Sequence, residues 1–246
     1  VFTLFIFAGI LAVYYFGGVG GIGTGKKPML IYGLLIGMIL IYNRLAKKIA
    51  VMGPLCMGLC RGLSMMLGAA ALVVGKTWGA SLSPLVLAGA GGVTLYIMAV
   101  TVLAAGETAD TRIGAARFGP FFLNLLWLAT IYATILSPRL TVAQFHWDQL
   151  APLLTQKLGG IGHQAAIISL AAAGLSLGRS LLIGVTLGSA PAPAKVQKSI
   201  GAAIRNLLPI QAAMAAICGQ QGMYVAIVLL VLWPVSALVG RKFYGS

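Results

Sequence analysis

Three acids occur in the whole chain, Glu107, Asp110 and Asp148, and two of them stand together in "LAAGETADTR". Three apart on a helix, Glu107 and Asp110 share a face. Two carboxylates at a helix end are the oxygen ligands that Mg²⁺ takes, usually while it bridges to phosphate. The simpler reading is a solvated helix end paired within its loop to Arg112 or Arg117. A second signal is Arg61 in "MGPLCMGLCRGLSMMLG", seven residues after Pro54 and so about 10 Å into an apolar helix at about 1.5 Å per residue. A charge at that depth costs at least a few kcal/mol unless it faces a cavity or a partner. Ser64 comes one turn on, on the same face. Arg179 and Arg205 also lie in apolar stretches, and Lys47 and Lys48 stand at the end of another. So many cations with so few acids predict a cavity that accepts an anion. Arginine suits phosphate because its planar fork bonds it bidentately. Snorkelling of the arginines to lipid headgroups is the competing reading.

Other motifs carry less. "GGVGGIGTGKKP", residues 17–28, matches G-x-G-x-x-G at Gly18, Gly20 and Gly23, and matches Walker A at Gly20, Gly25 and Lys26 except for its last position, Lys27. Both motifs need a strand before the loop and a helix opening directly after it. Here "VFTLFIFAGILAVYYF" precedes the loop and Pro28 comes after it, so it reads as a turn between membrane segments. Cys56-x-x-x-Cys60 puts two sulfurs on one helical face, yet no further soft ligand is near, and small-residue packing is expected. His146 and His163 read as interfacial loop residues.

The composition explains this setting. The 246 residues are 60% hydrophobic and 8% charged, with a mean hydropathy of +1.00. Soluble domains carry about 25% charged residues. Apolar runs near the roughly 17–25 residues that span a bilayer predict an all-α, polytopic transmembrane helical bundle. About eight spans are expected, at 1–16, 29–42, 55–74, 85–105, 121–136, 165–184, 196–218 and 223–239. The second is short and is expected to continue as helix through 43–48, and the seventh contains Arg205 and Pro209. Gly58-x-x-x-Gly62 fits close helix contact, and Gly89, Gly91 and Gly92 thin the next span. The chain opens inside an apolar run with no initiator Met and no basic leader, so an N-terminally truncated single domain is expected over residues 1–246.

The net charge of +14 contains no basic block of the kind that binds nucleic acid. With eight spans, the side on which Val1 starts holds nine cations, Arg44, Lys47, Lys48, Arg112, Arg117, Lys195, Lys198, Arg241 and Lys242. The opposite side holds five, Lys26, Lys27, Lys76, Arg139 and Lys157. The excess marks the first side as cytoplasmic.

The segment "LIYNRLAKKIAVMGPLCMGLCRGLSMMLGAA", with a span after it that ends in an acidic loop, resembles the UbiA superfamily of intramembrane prenyltransferases, in a variant bacterial branch. The C-terminal "APAKVQKSIGAAIRNLLPIQAAMAAI" with its "GRKFYGS" ending is also similar to that branch. The likeness runs from about residue 30 to the end. It implies a bundle of the nine-span type with a cavity open to the cytoplasm and to lipid, in a bacterial inner membrane. It further implies transfer of a prenyl group from a prenyl diphosphate to an aromatic or other lipophilic acceptor, with Mg²⁺ held by two aspartate-rich motifs. By position, Lys47 and Lys48 match the family's basic pair, while Glu107 and Asp110 fall at its second acidic motif, written here as Glu-x-x-Asp rather than Asp-x-x-x-Asp. The first motif, Asn-Asp-x-x-Asp, does not occur in the 246 residues.

The expected site is therefore Glu107 and Asp110 for catalysis and Mg²⁺, with Arg61, Lys47, Lys48, Ser64 and Arg112 for the diphosphate. Two other readings stand beside it. One is a catalytically inactive protein of the same fold that binds or carries an isoprenoid or lipid. The other is an anion transporter subunit, against which stands the lack of a visible internal repeat.

Overall fold

A computed structural model describes residues 26–46, 49, 51–72, 83–108, 113–136, 162–189 and 191–244. Among these residues there is no strand. The order is α1 (Lys26–Arg44), α2 (Met52–Leu72), α3 (Pro84–Thr108), a 3-10 turn (Gly114–Phe118), α4 (Gly119–Leu136), α5 (His163–Leu187), α6 (Pro193–Arg205), α7 (Leu207–Ala216) and α8 (Gln220–Tyr244). The chain divides into two compact units, Val1–Met98 and Ala99–Ser246.

In the first unit α1 packs along α2. The expected small-residue contact is present, since Gly58 and Gly62 meet Thr94 and Ala90 of α3. A Cβ at Gly58 would run into the Thr94 carbonyl oxygen, and one at Gly62 into the Thr94 hydroxyl. Thr94 Oγ1 donates back to Ala90 O at 2.8 Å, so the polar atom at this contact is satisfied within its own helix. Cys56 is buried, Cys60 half-buried and Cys218 exposed, all as free thiols.

In the second unit contacts fix the helix directions. Along α4 and α5, Gly184 meets Phe118, Asn124 meets Ser176 and Ser180, and Tyr132 meets Ser169. One series rises as the other falls, so the pair is antiparallel. From α6 into α7, Val196 packs with Leu187, Asn206 reaches Ser176 and Ser180, and Ala213 O meets Ser169. Thus α6 and α7 together run back along α5 as one broken helix. A turn at Gly219, with φ of 90°, then reverses the chain into α8. The α7–α8 hairpin closes on Gly222, where any Cβ would strike the Ala215 carbonyl oxygen. Alanines fill the middle, with Ala172, Ala173, Ala212, Ala213, Ala216 and Ala226 clustered around Leu128. Such small side chains let helices approach where apolar surroundings give no hydrophobic drive.

Four helical stretches are long and apolar enough to cross a membrane: Pro84–Ala105, Gly114–Ile135, His163–Leu187 and Gln220–Val239. They coincide with the expected fourth, fifth, sixth and eighth spans. Their outer faces are leucine and valine, as at Leu170, Leu182 and Val185 of α5 and Val228, Val231 and Leu238 of α8, all at least half exposed. The expectation of eight spans is corrected to these four for the described residues. The stretch 1–16 lies outside them. The second expected span is a shorter apolar helix, Met29–Arg44, and α1 ends at Arg44 instead of running on. The third is a helix of 21 residues whose apolar run is interrupted by Arg61. The seventh breaks into α6 and α7 because Pro209 has no N–H to give the Arg205 carbonyl.

Replacing Gly222 by leucine is expected to force the hairpin apart at backbone atoms and to cost about 3 kcal/mol, at the upper end of overpacking effects. Thermal unfolding of the purified protein in detergent, set beside Gly174→Leu, would measure it. Gly174 has nothing within 4 Å of its Cβ position and serves as the neutral control.

Candidate functional site

The site expected from the sequence is only partly among the described residues. Lys47, Lys48, Asp110 and Arg112 lie outside them, as do His146 and Asp148. Glu107 falls in the last turn of α3, and its side chain lies outside what is described. Arg61 and Ser64 are described and both are exposed. They occupy a face that α2 does not use against Thr94, so the pair is open to whatever adjoins it. His163 begins α5 and is exposed. Arg117 is half-buried, and its guanidinium carbon sits 4.9 Å from the centre of the Phe118 ring, a cation–π distance. Among the described residues no group of three His, Cys, Asp or Glu side chains could hold a metal.

The structure also assembles a polar node that the sequence reading did not single out. Asn124 of α4, Ser176 and Ser180 of α5, and Asn206 between α6 and α7 are each at most 1% exposed. Asn206 Nδ2 donates to Ser180 Oγ at 2.8 Å and to the Ser176 carbonyl at 3.0 Å. Asn124 Nδ2 donates to Ser176 Oγ and Ser180 Oγ, both at 3.3 Å. Ser176 Oγ gives its own hydrogen to Ala173 O at 2.8 Å. Ser180 Oγ thus accepts from two amides and keeps a hydrogen to give. Asn124 Oδ1 is buried without a donor, and it is the acceptor that Ser180 would meet if the amide turned over. Farther along, Tyr132 Oη and Ser169 Oγ are 2.8 Å apart, and Ser169 donates to Ala213 O at 2.8 Å.

The position of the node is set by helix geometry. Ser176 lies near the middle of the 25-residue α5, about 20 Å from its start at about 1.5 Å per residue. Ser169, Ser176 and Ser180 recur at seven and four residues and fall on the buried stripe with Ala172, Ala173 and Ile183. That spacing was the available signal, and it reads as small-residue packing until Asn124 and Asn206 arrive from other helices. The node clasps the chain where the α6–α7 helix breaks. The backbone there stays helical, with Asn206 N bonded to Ala202 O at 3.0 Å and Ile210 N to Asn206 O at 3.4 Å. What the arrangement does is to fix three helices at one depth.

Long apolar helices with lipid-like outer faces, closed around small residues and a buried amide–hydroxyl node, define a membrane-embedded helical protein. Comparison of the chain with models of protein families, with curated proteins and with solved structures gives no match.

Asn206→Ala should destabilise the protein by about 1–3 kcal/mol, because Ser180 and Ser176 lose a buried donor. A double-mutant cycle with Ser180→Ala, read by unfolding in detergent, should show coupling of about 0.6–1.7 kcal/mol.

Proposed function

We propose that the protein is an intramembrane prenyltransferase of the UbiA kind, moving a prenyl group from a prenyl diphosphate to an aromatic or other lipophilic acceptor. The observation that carries the reading is the shared, exposed position of Arg61 and Ser64 on α2. It lies within the segment whose "MGPLCMGLCRG" resembles that family, on a helix whose other face is committed to close packing at Gly58 and Gly62. An intramembrane arginine left free of packing is suited to receive an anion. In this reading the guanidinium of Arg61 and the hydroxyl of Ser64 bind diphosphate oxygens, with Lys47, Lys48 and Arg112 adding charge. The apolar bundle sheaths the isoprenoid tail and keeps water from it.

Glu107 and Asp110 are the residues that would hold Mg²⁺, since carboxylate oxygens are the ligands a hard cation takes. When bound, the ion would supply neutralisation of the leaving diphosphate. Arg61 makes its contribution at the same leaving group, as a fixed charge in surroundings of low dielectric. In the proposed topology α6 and α7 together serve as one span, because their register along α5 carries them from Leu187 to Ser169. The end that bears Arg117, Lys195 and Lys198 then faces the cytoplasm, in a bacterial inner membrane.

The test is release of diphosphate from farnesyl or geranylgeranyl diphosphate by membranes containing the full chain, with Mg²⁺ and a lipophilic acceptor pool. Arg61→Ala and Glu107→Ala should each lower turnover by about 100-fold or more, about 2.7 kcal/mol or more of transition-state stabilisation, while the protein stays folded. Wild-type turnover in both variants would overturn the site. Tight isoprenoid binding without Mg²⁺ and without any turnover would favour a carrier, and anion flux in proteoliposomes a transporter.

A further inference from the structure

Sulfur is concentrated in α2. The chain has nine methionines and three cysteines. Six of these twelve stand in the 21 residues of α2: Met52, Cys56, Met57, Cys60, Met65 and Met66. Met52, Cys56 and Cys60 follow one another at intervals of four and so share one face of the helix. Cys56 is 1% exposed and Met52 39% exposed, and Cys60 is half-buried. A buried thiol is therefore flanked by two sulfurs that lie less deep. The row stands to one side of Gly58 and Gly62, which meet α3, and α1 packs along the same helix. Cβ atoms four residues apart on a helix are about 5–6 Å from each other. Two metal–thiolate bonds of about 2.3 Å each can bridge that span. The two thiols lie within electrostatic reach of each other, and Cys60 within reach of Arg61.

We propose that Cys56 and Cys60, with Met52 as a weaker third ligand, bind a soft monovalent metal ion, Cu(I). Thiolate and thioether are the ligands that select it over harder cations. The expectation of simple packing counts the thiols alone, and the thioether one turn before them makes a set of three. Charge narrows the choice of metal. Binding breaks two S–H bonds and forms two metal–sulfur bonds; both protons leave to water, and no electron is transferred. Two thiolates and one monovalent cation leave the centre with a single negative charge. Arg61 follows Cys60 directly and offsets that charge, in surroundings where an unbalanced one is costly. The first unit, Val1–Met98, contains no Asp or Glu, so no carboxylate of that unit competes for the guanidinium. A divalent ion on the same two thiolates would be neutral and would have no use for the arginine.

The experiment titrates the full chain, purified in detergent without oxygen, with Cu(I) held by the chromogenic chelator bicinchoninate. The protein should withdraw one Cu(I) per chain. Cys56→Ser and Cys60→Ser should each weaken binding by about 100-fold or more, since each removes one of two strong ligands. Met52→Leu should weaken it by about tenfold, and Cys218→Ser should leave it unchanged. The unaltered chain supplies a readout that needs no variant. Cu(I) should shield Cys60 from a maleimide while the exposed Cys218 goes on reacting. Failure to compete with the chelator, a Cys60 that is not shielded, or full binding when Cys56→Ser and Cys60→Ser are combined would each overturn the proposal. So would retention of Zn(II) in preference to Cu(I), which would make the site one for a divalent ion. None of these readouts involves prenyl transfer, so a failed transferase assay leaves the result intact.

Discussion

In hydrocarbon surroundings a polar group without a partner is costly, and the second unit is arranged around pairing the amides and hydroxyls that it buries. Pro209 removes a hydrogen bond from the helix that runs along α5 between the Leu187 and Ser169 ends of its buried stripe. The break would weaken the helix if nothing gripped it. Asn206, one residue after α6 ends, does the gripping: its amide bonds Ser180 Oγ and the Ser176 carbonyl. Asn124 comes from the other side to the same two serines. The three helices are thereby held in one register, and the alanine contacts on either side of the node can close.

Packing is then a matter of size. Ala172, Ala173, Ala212, Ala213 and Ala216 meet around Leu128, so most side chains at this contact are methyl groups. Gly222 against Ala215 and Gly184 against Phe118 and Arg117 bring the chains closer still. In the first unit Gly58 and Gly62 do the same against Thr94 and Ala90. Many branched side chains also stand outside, as at Leu170, Val185 and Val231, while Tyr96, Ile131 and Ile210 are fully buried. Both units place glycine or alanine where helices approach most closely.

The charges divide into two kinds of surface. Arg61 and Ser64 sit on an exposed face of α2 beside a tightly packed one. Lys198 and Arg205 line the outer face of α6, opposite Val196 and Ala203. Both are helices with one side committed to packing and the other left cationic.

Much of this was legible in the sequence. Apolar runs of membrane length, which depend only on composition over about 20 residues, placed α3, α4, α5 and α8 to within a few residues. Gly58 and Gly62 declared their contact because a four-residue spacing of small residues has one geometric consequence. Arg61 stood out as a charge about 10 Å into an apolar helix, and the structure shows the face on which it stands. Hydropathy treated 196–218 as one span because averaging hides a break that Pro209 makes through a single missing N–H. The polar node was hidden for a different reason. Asn124, Ser176, Ser180 and Asn206 are up to 82 positions apart, and in sequence each is an isolated polar residue in an apolar stretch. Only the antiparallel register of α4, α5 and α6–α7 brings them to one depth, since a hydrogen bond is decided by where two atoms meet and not by the residue types that carry them.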